Sequence, residues 1–289
     1  MAIHSRFRNM DSVNVDCVKG NGIMRKLLLL LILLTPAAFG QEHYLPPWLV
    51  ASPLSFFQQL LPLLGAGAGG GSGAINFMLS ALTNSSTQTA QTATTNSINA
   101  TGATAVFLVV QNAITTCPVS GGNPFSISTS PSNTISGPDV SQLTETAGLY
   151  IYHVFSPSVS GTMTASITSA NSNCLPSISI ITATGTFSGV VDKTNGASST
   201  SSAAQQTGST GTLSTSVEFC IAALTTGGSS AQTPTINSSF TTTGWNPPVA
   251  GKARASGGAY LVTAATTALN PTWSLTTAES TNAGIACYY

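Results

Sequence analysis

From about residue 75 to its C-terminus the chain is a succession of short runs rich in Val, Ile, Thr and aromatic residues, separated by Gly, Ser, Asn and Pro. The clearest runs lie at 104–110, 149–155, 162–167, 178–184, 217–224, 259–264, 273–276 and 285–289. Many alternate apolar with polar side chains, the pattern of a strand with one buried face, and none sustains helical spacing across three turns. Many short strands with turn-rich spacers predict an all-β chain folded as one antiparallel β-sandwich over 75–289. No linker-like break after residue 148 divides the region into two smaller sandwiches.

The N-terminal part has a different texture. Met24 is followed by Arg25 and Lys26, the apolar stretch Leu27 to Leu34, and then Thr35-Pro36-Ala37-Ala38-Phe39-Gly40. A basic start, an apolar run too short to span a bilayer and small residues at its end form a secretory signal, so 24–40 reads as a signal peptide cleaved after Gly40. Residues 1–23 then read as an upstream extension of the reading frame. Segment 41–74 is rich in Pro and Leu and then in Gly. Ser52 and Pro53 suit the N-cap and first turn of a short helix over 53–61, and Gly65 to Gly73 reads as a flexible linker. The expected location is secreted or at the cell surface, periplasmic or extracellular. Contact with a membrane is expected only through the signal segment before cleavage.

Removing residues 1–40 leaves Lys193, Lys252 and Arg254 against Glu42, Asp139, Glu145, Asp192, Glu218 and Glu279, a net charge of −3. Soluble domains typically carry charge on about a quarter of their residues, so this surface must be solvated by Ser, Thr, Asn and Gln instead. Nucleic acid is excluded as a partner, because phosphate binding needs clustered Lys and Arg. Four cysteines remain in the mature chain, Cys117, Cys174, Cys220 and Cys287. An even number in an exported chain implies disulfides. Cys117 and Cys174 both sit where strand-like runs meet polar loops, whereas Cys220 and Cys287 both sit inside such runs. The expected pairs are therefore 117 with 174 and 220 with 287.

Catalytic and cofactor chemistry finds little to stand on. Gly65, Gly67 and Gly70 match G-x-G-x-x-G formally, but no strand precedes them and no acidic residue follows at the required distance. His153 is the one histidine of the folded region and lies in a strand-like run, which suits a hydrogen-bonded structural role better than that of a general base. No G-x-S-x-G elbow exists. Asp139, Glu145, Asp192, Glu218 and Glu279 are scattered, Glu218 is expected to face solvent from a strand, and Asp192 to Gly196 reads as a turn. Calcium would have only Asp139 or Asp192 to start from, each without a second nearby carboxylate. No enzyme activity, cofactor or metal is expected.

The order of elements nevertheless resembles a widespread kind of secreted bacterial β-sandwich domain of jelly-roll or Ig-like type. The residues that carry the likeness are Asn99 to Val110, Tyr150 to Phe155, Thr162 to Ile167, Ser177 to Gly189 with Asp192, Val217 to Ala222, Tyr260-Leu261-Val262 and Asn270-Pro271-Thr272-Trp273. The four cysteines are not part of that pattern. The resemblance implies a surface role without catalysis, adhesive or glycan-binding. Candidate sugar-stacking aromatics are Trp245, in the loop-like Thr243-Gly244-Trp245-Asn246-Pro247-Pro248, and Tyr260. The competing use of Trp245 is packing on its prolines, and Tyr260, like Trp273, stands in a strand-like setting that suits a core. The second function class is a self-associating subunit of an extracellular coat, matrix or filament, so the expected partners are surface glycan or other copies of the chain.

Overall fold

The computed structural model describes residues 74–84, 91–113, 125–144, 147–159, 161–169, 174–228, 232–247 and 255–289. The signal segment, the helix expected at 53–61, the glycine-rich linker and Cys117 lie outside these residues. The described chain is all-β: β1 (Asn76–Asn84), β2 (Thr92–Thr94), β3 (Ile98–Asn99), β4 (Ala105–Ala113), β5 (Phe125–Ser130), β6 (Ser136–Leu143), β7 (Ala147–Phe155), β8 (Thr162–Ser169), β9 (Ser177–Thr184), β10 (Val191–Gln206), β11 (Glu218–Thr226), β12 (Thr235–Ile236), β13 (Thr241–Asn246), β14 (Ala255–Thr263) and β15 (Thr272–Tyr288).

Every pairing is antiparallel, and the strands form three sheets. The first runs β1-β9-β4-β7-β6, and the second runs β10-β15-β11-β14-β13 with β12 beside β15. The third is built on β8, along which β2 and β3 pair in succession and to which β5 pairs separately.

The sequence explains why the sheets stack as they do. The run Ala105 to Val110 is apolar at every position rather than at alternate ones, so its strand needs cover on both faces. Phe107 and Val109 point with Leu149, Ile151 and Ile181 toward Phe219, Ile221, Ala286 and Tyr288 of the second sheet. Val106, Leu108 and Val110 point the other way, with Tyr150, Tyr152 and Ile180, onto Met163, Ala165 and Ile167 of the third. The first sheet is thus the middle of three layers. Sheet-on-sheet packing is what the strand pattern predicts; the third layer is additional, and it exists because β4 and β7 leave neither face polar. On the outer side of the second sheet, Cys220, Ala222, Leu224 and Ile285 are covered by Leu213, Phe240, Trp273 and Leu275.

Three local expectations are corrected. The runs at 273–276 and 285–289 belong to one strand, β15, which pairs with β10 from Val191↔Tyr288 to Gln206↔Thr272 and so spans the whole second sheet. Asp192 to Gly196 is strand, not turn, because that ladder continues through Asn195↔Ile285 and Gly196↔Gly284. A Cβ on Gly196 would come within 2.3 Å of the Gln142 side chain, so glycine serves close approach of β10 to β6 here rather than a turn. Trp245 stands in β13, an edge strand, and not in a loop.

Candidate functional site

The cysteines anchor the second sheet. Cys220 of β11 and Cys287 of β15 are directly opposite in register and bonded, closing a separation of 67 residues in sequence. β11 lies between β14 and β15, so the bridge fastens the C-terminal strand to an interior strand. Cys174 is also disulfide-bonded.

The aromatic candidates are both engaged in packing. Tyr260 stacks on Phe77 at 4.2 Å with an interplanar angle of 8°, and Phe219 lies 5.9 Å away at 15°. Trp245 packs at the margin of the outer core of the second sheet and lies over Gly257, where a Cβ would come within 2.5 Å of its ring. Its indole N–H is buried without an acceptor. Trp273 is fully buried.

Two polar clusters that the sequence left scattered are brought together. Asp139 sits after a bulge in β6, where the register shifts between Ser136 and Val140. Gly137, at φ 116°, permits it, and a side chain there would meet the Asp139 backbone nitrogen at 2.9 Å. The bulge turns the Asp139 carboxylate inward, within 2.8 Å of His153 Nδ1, and Tyr288 donates its hydroxyl to the same carboxylate at 2.8 Å. Burial and the adjacent Asp139 charge hold the Tyr288 phenol well above its usual range. One buried carboxylate thereby joins β6 and β7 of the first sheet to β15 of the second. This is the hydrogen-bonded role expected for His153, with partners that no local motif revealed.

The second cluster corrects two expectations. Glu218 is completely buried rather than facing solvent, and Asp192 has a carboxyl neighbour in it. One Glu218 oxygen accepts from the Thr215 amide at 3.1 Å. Asp192 accepts from the Ser214 amide at 2.8 Å and lies 3.4 Å from Lys193 Nζ. Burial would raise Asp192, but hydrogen bonds from Ser214 and Glu218 and the Lys193 charge outweigh it and hold it below the usual carboxylate range. Burial, reinforced by Asp192 and opposed by Thr215, pushes Glu218 up to about 6. Below that pH Glu218 is protonated and can share a hydrogen bond with Asp192. Glu218 Oε also lies near the sulfurs of Cys220 and Cys287, a grouping with metal-ligand chemistry only when those sulfurs are thiolates, which the disulfide prevents.

A cleft open to solvent lies elsewhere. Between β5 and the chain that leads through β6 into β7 lies a cleft of about 400 Å³ lined by Phe125, Ser126, Ile127, Asn133, Ile135, Gly137 and Tyr152. That is at the lower end of the roughly 300–1,000 Å³ typical of small-ligand sites. Its wall is fixed rather than loose: Asn133 donates to Thr129 Oγ1 at 3.1 Å and to the Pro131 carbonyl at 2.9 Å, and accepts from the Ser158 amide at 2.6 Å. Phe125 and Tyr152 form a buried floor, Ile127 and Ile135 are partly exposed, and the rest of the surface is polar, which suits weak hydrogen bonding and apolar contact more than proton transfer. The residues of this cleft come from three separate segments, and only the strand-like run around Tyr152 signalled any of them.

No family model matches the chain, and neither a curated protein nor a solved structure does.

Proposed function

We propose that this is an exported, non-catalytic protein of the β-sandwich class, jelly-roll or Ig-like in kind, that works by contact at a cell surface or in the extracellular space, with surface glycan as its ligand. The observation that carries the reading is the cleft between β5 and β7, where the partly exposed Ile127 and Ile135 stand beside Asn133 over a floor of buried Phe125 and Tyr152. Glycan recognition uses such a combination, since the apolar face of a sugar packs on apolar surface while its hydroxyls exchange water for polar neighbours. Two features support export: the signal-like segment at 24–40, and a buried disulfide of the kind formed in oxidising compartments. No helix among the described residues is long and apolar enough to cross a membrane. Absence of catalysis is proposed from the engagement of the buried polar groups with one another. His153, Asp139 and Tyr288 form a closed set across two sheets, and Glu218 is sealed from solvent.

The test is a glycan array probed with the mature, disulfide-bonded protein and with two variants. Retention should fall at least tenfold in Ile135→Ala and stay unchanged in Trp245→Ala, both checked for a native melting transition. Retention that depends on Trp245 and not on Ile135, or no retention on any glycan, rejects the assignment.

A further inference from the structure

The sheets manage their edges unequally. At one side of the first and second sheets, β1 leans on β13, where the Ser80 hydroxyl donates to the Thr243 carbonyl at 3.1 Å. At the other, bulged β6 lies against β10, with Gln142 filling the space over Gly196. In the third sheet β2 and β3 are only three and two residues long. That leaves β5, six residues of sequence FSISTS, with no charge, no bulge and no strand pairing along its outer edge among the described residues. Natural sheets usually protect such an edge with lysine, proline, a bulge or a covering element.

The ladder shows which backbone groups that edge presents. Ala165 and Ser169 of β8 direct their backbone toward the β2 edge, since the Thr95 amide donates to the Ala165 carbonyl and the Ser169 amide donates to the Gln91 carbonyl. In an antiparallel pair the residues opposite them, Thr129 and Phe125, must then point their own N–H and C=O away from β8. Ile127, between them and of the same parity, does likewise. Among the described residues this edge therefore presents three donor and acceptor pairs, from Phe125, Ile127 and Thr129. The side chains of these residues face inward, while Ser126, Ser128 and Ser130 stand exposed and small.

We propose that the partner for this edge is a second copy of the same strand, joined about a twofold axis. The edge is complementary to itself. An antiparallel β5 pair with Ile127 opposite Ile127 sets Phe125 opposite Thr129, so every presented donor meets an acceptor, in about six hydrogen bonds. The register keeps the inner faces of both copies continuous, whereas a shift by one residue would set each outward-pointing N–H and C=O opposite a residue whose own groups are used on β8. No charge on either copy's β5 or cleft lining opposes the approach. A twofold contact of this kind is self-complementary and closed, giving a dimer rather than a filament. The inference rests on the reading of this face as the contact surface and names a further occupant for it. An interface this small is transient, with association in the micromolar to millimolar range.

Two measurements on the mature protein, made without glycan, test it. Sedimentation velocity should show reversible dimerisation that Thr129→Pro weakens at least tenfold, because proline deletes an N–H aimed at the copy and none aimed at β8. Separately, Ser126→Cys and Ser128→Cys variants are purified, mixed and oxidised. The proposed register sets 126 directly opposite 128 of the copy, so the mixed disulfide dimer should exceed either homodimer severalfold; this arm does not depend on the proline variant folding. A chain that stays monomeric, association with homodimers and mixed dimers crosslinked equally, or association without crosslinking overturns the proposal, the last by placing another surface or segment on the edge. Glycan retention by a strictly monomeric protein would leave the contact reading standing while self-pairing fails, and dimers that retain no glycan would do the reverse.

Discussion

Replacing Glu218 by Gln should stabilise the protein, and only above about pH 5. The folded-state pKa of Glu218 is raised to about 6 from 4.5, so folding favours the protonated acid. The associated stability is fully present below pH 4.5 and is lost as the pH rises through 6, where an uncompensated carboxylate faces Asp192 in a buried setting. A shift of that size corresponds to about 2 kcal/mol. Gln keeps the shape and supplies at every pH the donor toward Asp192 that Glu218 supplies only when protonated. Glu218→Gln should therefore match the wild type at pH 4 and melt about 4–8 °C higher at pH 8, on the scale of roughly 2–4 °C per kcal/mol for a domain of this size. Differential scanning calorimetry at pH 4, 6 and 8 measures it with the disulfides intact. A gain of equal size at pH 4 and pH 8, or a loss at pH 8, would refute the reasoning, since neither can come from a proton shared with Asp192.

Three further outcomes follow from the packing. Cys287→Ser should cost about 4 kcal/mol, because the loop it opens spans 67 residues, and urea titration of the variant beside the reduced wild type checks it. Tyr288→Phe should cost about 1–3 kcal/mol by removing a hydrogen bond to the buried Asp139 carboxylate, which chemical denaturation at pH 7 measures. Tyr260→Ala should lower stability by about 2–3 kcal/mol, less than a fully buried aromatic would cost, while glycan retention per folded molecule stays unchanged, which unfolding curves and array binding together decide.

What the sequence made legible is tied to continuous apolar runs. β4, β7, β9 and β11 carry enough Val, Ile, Leu and Phe to be read directly, and their buried faces are what pull the three layers together. The Cys220 to Cys287 bridge was legible for a related reason, since both cysteines sit in such runs. β10 was not legible. Its sequence VDKTNGASSTSSAAQQ has almost no apolar residues because it lies at a half-exposed sheet edge, and its strand state is imposed by the ladder to β15. The same ladder overrode the Asn195-Gly196 turn signal. The Asp139, His153 and Tyr288 set and the Asp192 and Glu218 pair escaped because each is assembled from strands distant in sequence, and a lone carboxylate in a polar segment carries no local mark of burial. The cleft escaped for the same reason: Phe125, Asn133 and Tyr152 are neighbours only once β5 and β7 are laid on adjacent sheets.

The central claim, contact through the β5 and β7 cleft, is tested most directly by nuclear magnetic resonance of the isotope-labelled mature protein. Amide shifts are followed while the glycan best retained on the array is titrated in. The account predicts saturable perturbations confined to residues 125–137 and 150–154, with Trp245, Tyr260 and the disulfide strands unmoved. Perturbations centred on β13 and β14, or spread evenly over the surface without saturation, would contradict it.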